Sequence, residues 1–451
     1  MTRLIKIKKG LDIGLIGDAE KHIGQIETTS LYALKPPDFH AVRPKLMVKP
    51  GDSVKAGSPL FFDKDNEKVI FCSPVSGTVK DVVRGEKRVI LEVVIEADGK
   101  NDYVSFSVKD IDSLNRDEII ENMLAAGVWP YLRQRPWDRI AKPEDTPKSV
   151  FISSFDSAPL APDYEFIVSG QEELFQAGIN VLRKLSNDKL YLGVKDKGAE
   201  VSLFEKFSNA EIYKVKGPHP AGNVGVQIHR VDPLTKYDVV WYCNPQDVLT
   251  IGRLFTEGIY KPEKIFCLTG SEVVNPKYYK GLNGLNLTEL FEKNTIEGNN
   301  RYISGNVLTG SKISKNSFIG FYDHQLTVIP EGNYYEFFGW IDPGFNKFST
   351  SGAIASKWLA PRKKRRLNTN LHGGLRAYIM TGEYERVFPF DIYPNQLIKA
   401  ILVEDIDLME KLGIYEIAPE DFALCEVICT SKTNVQYIVH KGIDLMIKEL
   451  G

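Results

Sequence analysis

The sequence predicts an α/β multidomain chain: a small flattened β barrel, a doubly wound parallel α/β domain, a β-grasp-like domain and a C-terminal helical domain. Three observations carry this. Residues 43–84 hold two alternating apolar and polar stretches punctuated by Gly51-Asp52 and Ser76-Gly77, as two hairpins require. From residue 149 onward, short apolar runs alternate with helical periodicity, the pattern of parallel strands joined by crossover helices. From Pro394 to the end only helical periodicity remains.

The barrel region, grouped here as residues 1–110, resembles the barrel-sandwich modules that carry lipoyl or biotin arms. The lysine those modules modify is missing: counting from either turn places it at Glu67 or Asn66, with Lys64 and Lys68 only flanking. The module is therefore expected to serve structure or docking, since function belongs to the site and not to the fold. Residues 111–262 form the next unit. A helix follows Ser113 or Asn115 as cap, buries Ile119, Met123 and Leu124, and stops at Gly127 and Pro130. Strands are expected at Ser149–Ser153, Leu190–Val194, Ile212–Val215 and Val239–Cys243, with Leu174, Gly178, Val181, Leu182 and Leu185 marking one helix face. The clearest strand-to-helix unit is YDVVWYCNPQDVLTIGRLF, with Asn244 as N-cap and Pro245 at the first helical position, where a missing N–H costs nothing. This unit reads as Rossmann-like.

In residues 263–352, KIFCLTG and RYISGNVLTG flank a single helix whose Asn286 and Glu289 resemble a capping box. The aromatic stretch 331–352 and the basic run PRKKRR (361–366) read as exposed connection and a solvated charge run. Residues 353–451 then close with three helical segments, NQLIKAILVEDIDLMEKLG, PEDFALCEVIC and NVQYIVHKGIDLMIKEL.

Composition narrows the function classes. The chain has 451 residues, long enough for several cores, and 57 basic residues nearly balance 59 acidic ones, which argues against nucleic acid as partner. No run approaches the roughly 18 apolar residues of a spanning helix. The first residues are broken by Asp12, Gly14 and Asp18 and do not form a signal peptide. Five scattered cysteines suit reduced thiols in a cytoplasm.

Candidate chemistry is sparse. Cys425 and Cys429 share a predicted helix face, but an iron–sulfur ligand spacing laid on this tail places Pro419 and Phe422 where two more thiols belong. They read as buried structural thiols. GPHPAGNVGVQIHR offers Gly217, Gly222 and Gly225 but no full dinucleotide fingerprint, so a tight turn is the expectation. His219 and His229 lack a carboxylate or thiol at ligand spacing, and no metal set is found. In WPYLRQRPWDRIAKP, Arg133, Arg135 and Arg139 interleave with Trp129, Tyr131 and Trp137. Arginines beside aromatic rings grip planar or anionic ligands or an acidic partner, and equally form a solvated loop with aromatic cover; both readings stand. No hydrolase or kinase motif is present, and no catalytic residue is assigned.

Taken together, IKIKKGLDI, RPKLMVKPGDSVKAG, SPVSGTV, SLNRDEI, GPHPAGNVGVQIH, RYISGNVLTG, GEYERVFPFDIYP and DFALCEVIC, in this order, resemble the family of the alpha (A) subunit of the Na+-translocating NADH:quinone oxidoreductase. That family is related to the flavin-binding component of respiratory complex I and to the C component of the Rnf complex. The resemblance implies barrel-sandwich, Rossmann-like, β-grasp (SLBB-like) and helical domains. It also implies a component of an NADH:ubiquinone reductase with no independent activity, peripheral on the cytoplasmic face of the bacterial inner membrane, beside the membrane-embedded flavoprotein (B) component. FMN, FAD, riboflavin and iron–sulfur would sit on partner subunits, with none bound by this chain alone. Where the flavin-binding relatives carry a glycine-rich cradle, this sequence reads GVWPYLRQRPWDR. The segments tied to quinone in the family correspond to 34–43 and 132–139, giving Leu34, Phe39, His40, Arg43, Arg133, Arg135, Pro136, Trp137 and Arg139 as quinone-binding candidates. Pro36-Pro37 departs from the commoner family wording. The alternatives are a flavin-dependent oxidoreductase component like that of complex I and a purely structural scaffold.

Overall fold

The computed structural model describes residues 3–26, 29–187, 189–339 and 341–450. The barrel is two small sheets face to face: strands 31–34, 90–97, 77–84 and 53–54 in one, and 44–46, 59–63 and 66–72 in the other. Alternation points Leu60, Phe61, Val69, Phe71, Val79, Val93 and Ile95 inward, all buried, with the Phe61 and Phe71 rings stacked at 4.5 Å. Asn66 begins the second strand of the tip hairpin and donates its amide to Glu144 of the next domain.

The second domain is a seven-stranded sheet ordered 3–6, 211–216, 190–195, 149–153, 240–243, 133–135, 139–140. The first five strands are parallel, and the last two are antiparallel additions. The chain's first strand, Arg3–Lys6, thus edges this sheet, and Glu20–Gly24 edges the third one, before the barrel begins. The helix Arg116–Ala125 starts on Asn115, whose side chain accepts from the Glu118 N–H while Glu118 reaches back to the Asn115 N–H. Helices Glu172–Leu185 and Pro245–Glu257 cross at glycine: a Cβ on Gly252 would lie 2.0 Å from the Leu174 carbonyl oxygen, and one on Gly178 would lie 2.3 Å from that of Val248. At the expected start of the second helix, Pro245 occupies the first turn and Asp247 accepts from the Asn244 N–H at 2.9 Å.

The third sheet runs 311–313, 300–304, 325–330, 263–269, 277–282, 20–24, with the helix Thr288–Asn294 packed on it. The expected Asn286–Glu289 capping box does not form. Asn286 accepts instead from the Thr288 N–H at 3.1 Å, a local Asx turn that competes with capping.

In the C-terminal region the first expected helix is two. Glu404 adopts φ 56°, and Asp405 then caps a new helix by accepting from the Leu408 N–H at 3.0 Å. Helices Pro394–Leu402, Ile406–Lys411, Ala423–Ile428 and Val435–Leu450 follow. The basic run is also more structured than expected. Arg365 is buried, donating to the carbonyls of Ser356 and Ala360, and Arg366 forks onto Glu272 at 2.7 and 3.0 Å. Arg362, Lys363 and Lys364 remain exposed.

Two cores result. One unites the barrel, one face of the seven-stranded sheet and the third sheet. The other packs Phe151, Tyr213, Val240 and Tyr242 from the opposite face against Leu397, Phe422 and Val439 of the C-terminal helices. Among the described residues no helix is long and apolar enough to cross a membrane.

Candidate functional site

The segments 34–43 and 132–139 lie in different domains, and the fold brings them together at one residue. Strand Leu31–Leu34 runs into a single helical turn, Pro36–Asp38, where Pro36 takes the first position. His40 follows. Its Nδ1 lies 3.1 Å from the Trp137 carbonyl oxygen and 3.2 Å from that of Asp138. Carbonyls only accept, so Nδ1 carries the proton and donates.

The second segment is a tight hairpin. Strand Arg133–Arg135 pairs with 240–243 on one side and with Arg139–Ile140 on the other, and the chain reverses through Trp137 (φ 82°) and Asp138 (φ 48°). Arg133 lies between the rings of Tyr242 and Tyr322, 4.7 Å from each, and 3.6 Å from the Asp138 carboxylate. The Tyr242 hydroxyl donates to Asp138. Burial pushes the Asp138 carboxyl up, but Arg133 and Arg135 outweigh it and hold the group below the usual carboxylate range.

The remaining candidates divide by burial. Phe39 and Leu34 are core residues, Phe39 lying 4.4 Å from Phe71 and 4.7 Å from Phe321. Arg135 is wholly buried, donating to Asp421 at 3.1 Å and Glu420 at 2.8 Å. Pro136 is buried beside it, and the Trp137 ring packs on Tyr415 at 5.1 Å. Arg139 is half-buried, and burial lowers its pKa. Arg43 turns away to an exposed pair with Asp65. Thus His40 and Arg133 alone of the nine combine partial exposure with a place where the two segments meet. For the arginine-rich stretch, the structure decides against a solvated loop: Trp129, Arg135 and Trp137 are buried.

Beside Arg133 a crevice of about 90 Å³ opens at the carboxyl ends of strands 149–153 and 240–243. Here the order of parallel strands reverses, the place where doubly wound sheets bind ligands. Ser153, Asp156, His219, Asn244, Arg133 and Glu420 border it. Ser157 Oγ accepts from the Gly222 N–H at 2.8 Å and is hydrogen-bonded to His219 Nδ1 at 3.0 Å. The other ring nitrogen, Nε2, is buried with no hydrogen-bond partner among the described residues. Burial lowers the His219 pKa to about 4, keeping the ring neutral. His229 is elsewhere, its Nδ1 2.5 Å from Glu416 while Nε2 accepts from the Asp391 N–H. Cys425 and Cys429 are both buried. Cys429 lies just past the end of Ala423–Ile428 and pairs with the Tyr384 hydroxyl at 2.9 Å, so the two do not share a helix face as expected.

Sequence reasoning missed Tyr242, Tyr322, Glu420 and Asp421. The YDVVWYC run marked a strand, and its period of two already set Trp241 and Tyr242 on opposite faces; nothing in PEDF distinguished an ordinary helix start from a buried counter-charge.

Residues 5–98 match the NqrA N-terminal barrel-sandwich hybrid domain, 114–260 the NqrA second alpha/beta domain, and 265–315 the NQRA C-terminal domain (SLBB). The chain is 37% identical to the A subunit of the Na+-translocating NADH-quinone reductase of Pasteurella multocida over 451 residues, covering 99% of this chain and all of that one. It belongs to the NqrA family. The family members from Actinobacillus succinogenes (37%) and Haemophilus influenzae (36%) match over the same 99% of this chain and all of theirs. A solved NAD+-reducing [NiFe]-hydrogenase superposes at TM-score 0.39 and 10% identity over 75% of this chain and 64% of that chain; membership rests on the sequence matches. The barrel-sandwich, α/β and SLBB domains expected of the family are those described above.

Proposed function

We propose that this chain acts in the sodium-pumping NADH:quinone oxidoreductase as a peripheral subunit that helps bind quinone where it meets a partner, the membrane-embedded flavoprotein (B) component by preference, on the cytoplasmic face. The observation that carries this reading is the junction at His40, where the two quinone-candidate segments are hydrogen-bonded into one patch beside Arg133. A quinone needs flat walls and a few donors for its carbonyls. Tyr242 and Tyr322 supply rings and Arg133 supplies a donor, while His40 holds the two segments together.

Size favours an interface over an internal pocket. Ligand pockets for molecules of this class run from about 300 Å³ upward, and the crevice holds about 90 Å³. The flavins and iron–sulfur are then carried by partner subunits. In support, the position of the relatives' glycine cradle is filled by Trp129, whose Nε1–H donates to the Ala141 carbonyl at 2.7 Å and whose ring meets Trp241 at 5.4 Å.

The test uses the assembled complex with His40→Gln and Arg133→Gln, and with Arg43→Gln as comparison. Losing one hydrogen bond to a charged donor corresponds to roughly a tenfold rise in the quinone KM at unchanged NADH KM, expected for Arg133→Gln; His40→Gln should raise it through the loosened junction, and Arg43→Gln should leave it unchanged. Intact complexes with an unchanged quinone KM would leave the chain as a scaffold.

A further inference from the structure

We infer that His40, His440 and Asp444 form a binding site for one divalent transition-metal ion of the Zn2+ class. Among the described residues these three alone bring three potential ligand atoms together, all within 4.8 Å of one another. They come from two distant parts of the chain. His440 and Asp444 are one helical turn apart on Val435–Leu450, and His40 reaches them from the loop after the barrel's first strand.

The hydrogen-bond geometry around His40 carries the argument. Its Nδ1 faces two backbone carbonyls, so that nitrogen holds the N–H. In the neutral ring Nε2 is then a bare lone pair, and it faces Asp444 Oδ1 at 2.9 Å, an atom that also only accepts. Two lone pairs at this distance repel, so a cation belongs between or beside them: a second ring proton or a metal ion. The other carboxylate oxygen, Oδ2, lies 3.1 Å from His440 Nδ1, and the two imidazole rings are 4.6 Å apart. Two imidazoles and a carboxylate therefore converge, which is more than a single proton needs.

The support around His40 is also what a metal ligand has. A ligating histidine characteristically donates its other N–H to a carbonyl or carboxylate, which fixes the tautomer and aims the lone pair. Here the carbonyls of Trp137 and Asp138 do so from a tight hairpin. Zn2+ bonds of about 2.0–2.1 Å put tetrahedral ligands ~3.3 Å apart. Bringing ligand atoms that lie within 4.8 Å of one another to that figure takes small side-chain adjustments, and His440 and Asp444 are both exposed on the helix surface. Lys441, the nearest cation on the helix, lies over the Tyr437 ring at 5.0 Å. Three protein ligands leave the fourth position to water or to a partner's group. A mixed nitrogen and oxygen set favours Zn2+, Co2+ or Ni2+ over the hard cations, which prefer oxygen alone. The ion would clamp the His40 loop and the 136–138 hairpin to the last helix.

The experiment is a titration of the full-length chain, stripped with chelator, with Zn2+ by calorimetry and with Co2+ by visible absorption. One equivalent is expected, with four-coordinate Co2+ bands. His440→Ala and Asp444→Ala should each weaken binding by at least about tenfold, and His22→Ala, at an exposed histidine elsewhere, should leave it unchanged. Both site residues are solvent-facing on their helix, and an unchanged circular-dichroism spectrum checks that the variants fold. Absence of a saturable equivalent, or equal uptake by His440→Ala, overturns the proposal and leaves a proton shared by His40 and Asp444. Because the readout is metal uptake by the isolated chain, its failure is separate from any failure of the quinone reading.

Discussion

The guanidinium of Arg135 and the carboxylate of Asp421 form a wholly buried ion pair, 3.1 Å apart, between the edge of the seven-stranded sheet and the C-terminal helices. Glu420 adds a second carboxylate at 2.8 Å. This pair joins the hairpin that carries Arg133 and Trp137 to the domain that carries His440.

Removing one member of such a pair strands a buried charge. Arg135→Met is expected to cost about 3–5 kcal/mol of unfolding free energy. Adding Asp421→Leu should recover part of it, because the desolvation cost of the orphaned carboxylate then disappears. Chemical denaturation of the single and double variants reads both numbers, and additive losses would show that the two side chains do not act as a pair.

The neutral, buried His219 makes stability depend on acid. Its folded pKa, about 4, lies below the ordinary value of 6.5. Between these values the unfolded chain takes up a proton that the folded chain refuses, so its contribution is present above pH 6.5 and is lost as pH falls toward 4. The full shift corresponds to about 3 kcal/mol. Thermal unfolding from about pH 7 to about pH 4 should fall less steeply for His219→Gln than for the unaltered chain.

The crossing of Glu172–Leu185 and Pro245–Glu257 has no room for a methyl group. Gly252→Ala and Gly178→Ala are each expected to destabilise by about 1–3 kcal/mol. Both act on one helix pair, so once the helices have separated for the first methyl the second costs less. The double variant should therefore lose less than the sum, by urea denaturation.

Much of the architecture was legible in the sequence because it is local. The Asn244-Pro245 start is a property of one strand-to-helix junction, whereas Gly51-Asp52 and Ser76-Gly77 do interrupt strands but do not close the two expected hairpins: each lies where the chain crosses from one small sheet to the other, and the hairpins are 59–63 with 66–72 and 77–84 with 90–97. The missed details were contests between local options. Asn286 chose the Thr288 N–H over a capping box, and Glu404 broke a helix whose periodicity ran on unbroken. For Arg365, sequence showed a charge run, and only packing against the carbonyls of Ser356 and Ala360 made it an interior donor.

By itself the sequence determined the order of domains, the absence of a modifiable lysine at the barrel tip, the family, and the choice of 34–43 and 132–139 as candidate segments. Periodicity, turn residues and motif wording are written along the chain. Tertiary structure alone decided which of those residues are interior, placing Phe39 and Arg135 in the core while His40 and Arg133 stay at the junction. It also decided that His40 meets His440 and Asp444. His40 and Asp444, 404 positions apart, are joined by how three domains pack, and no spacing in the sequence encodes that.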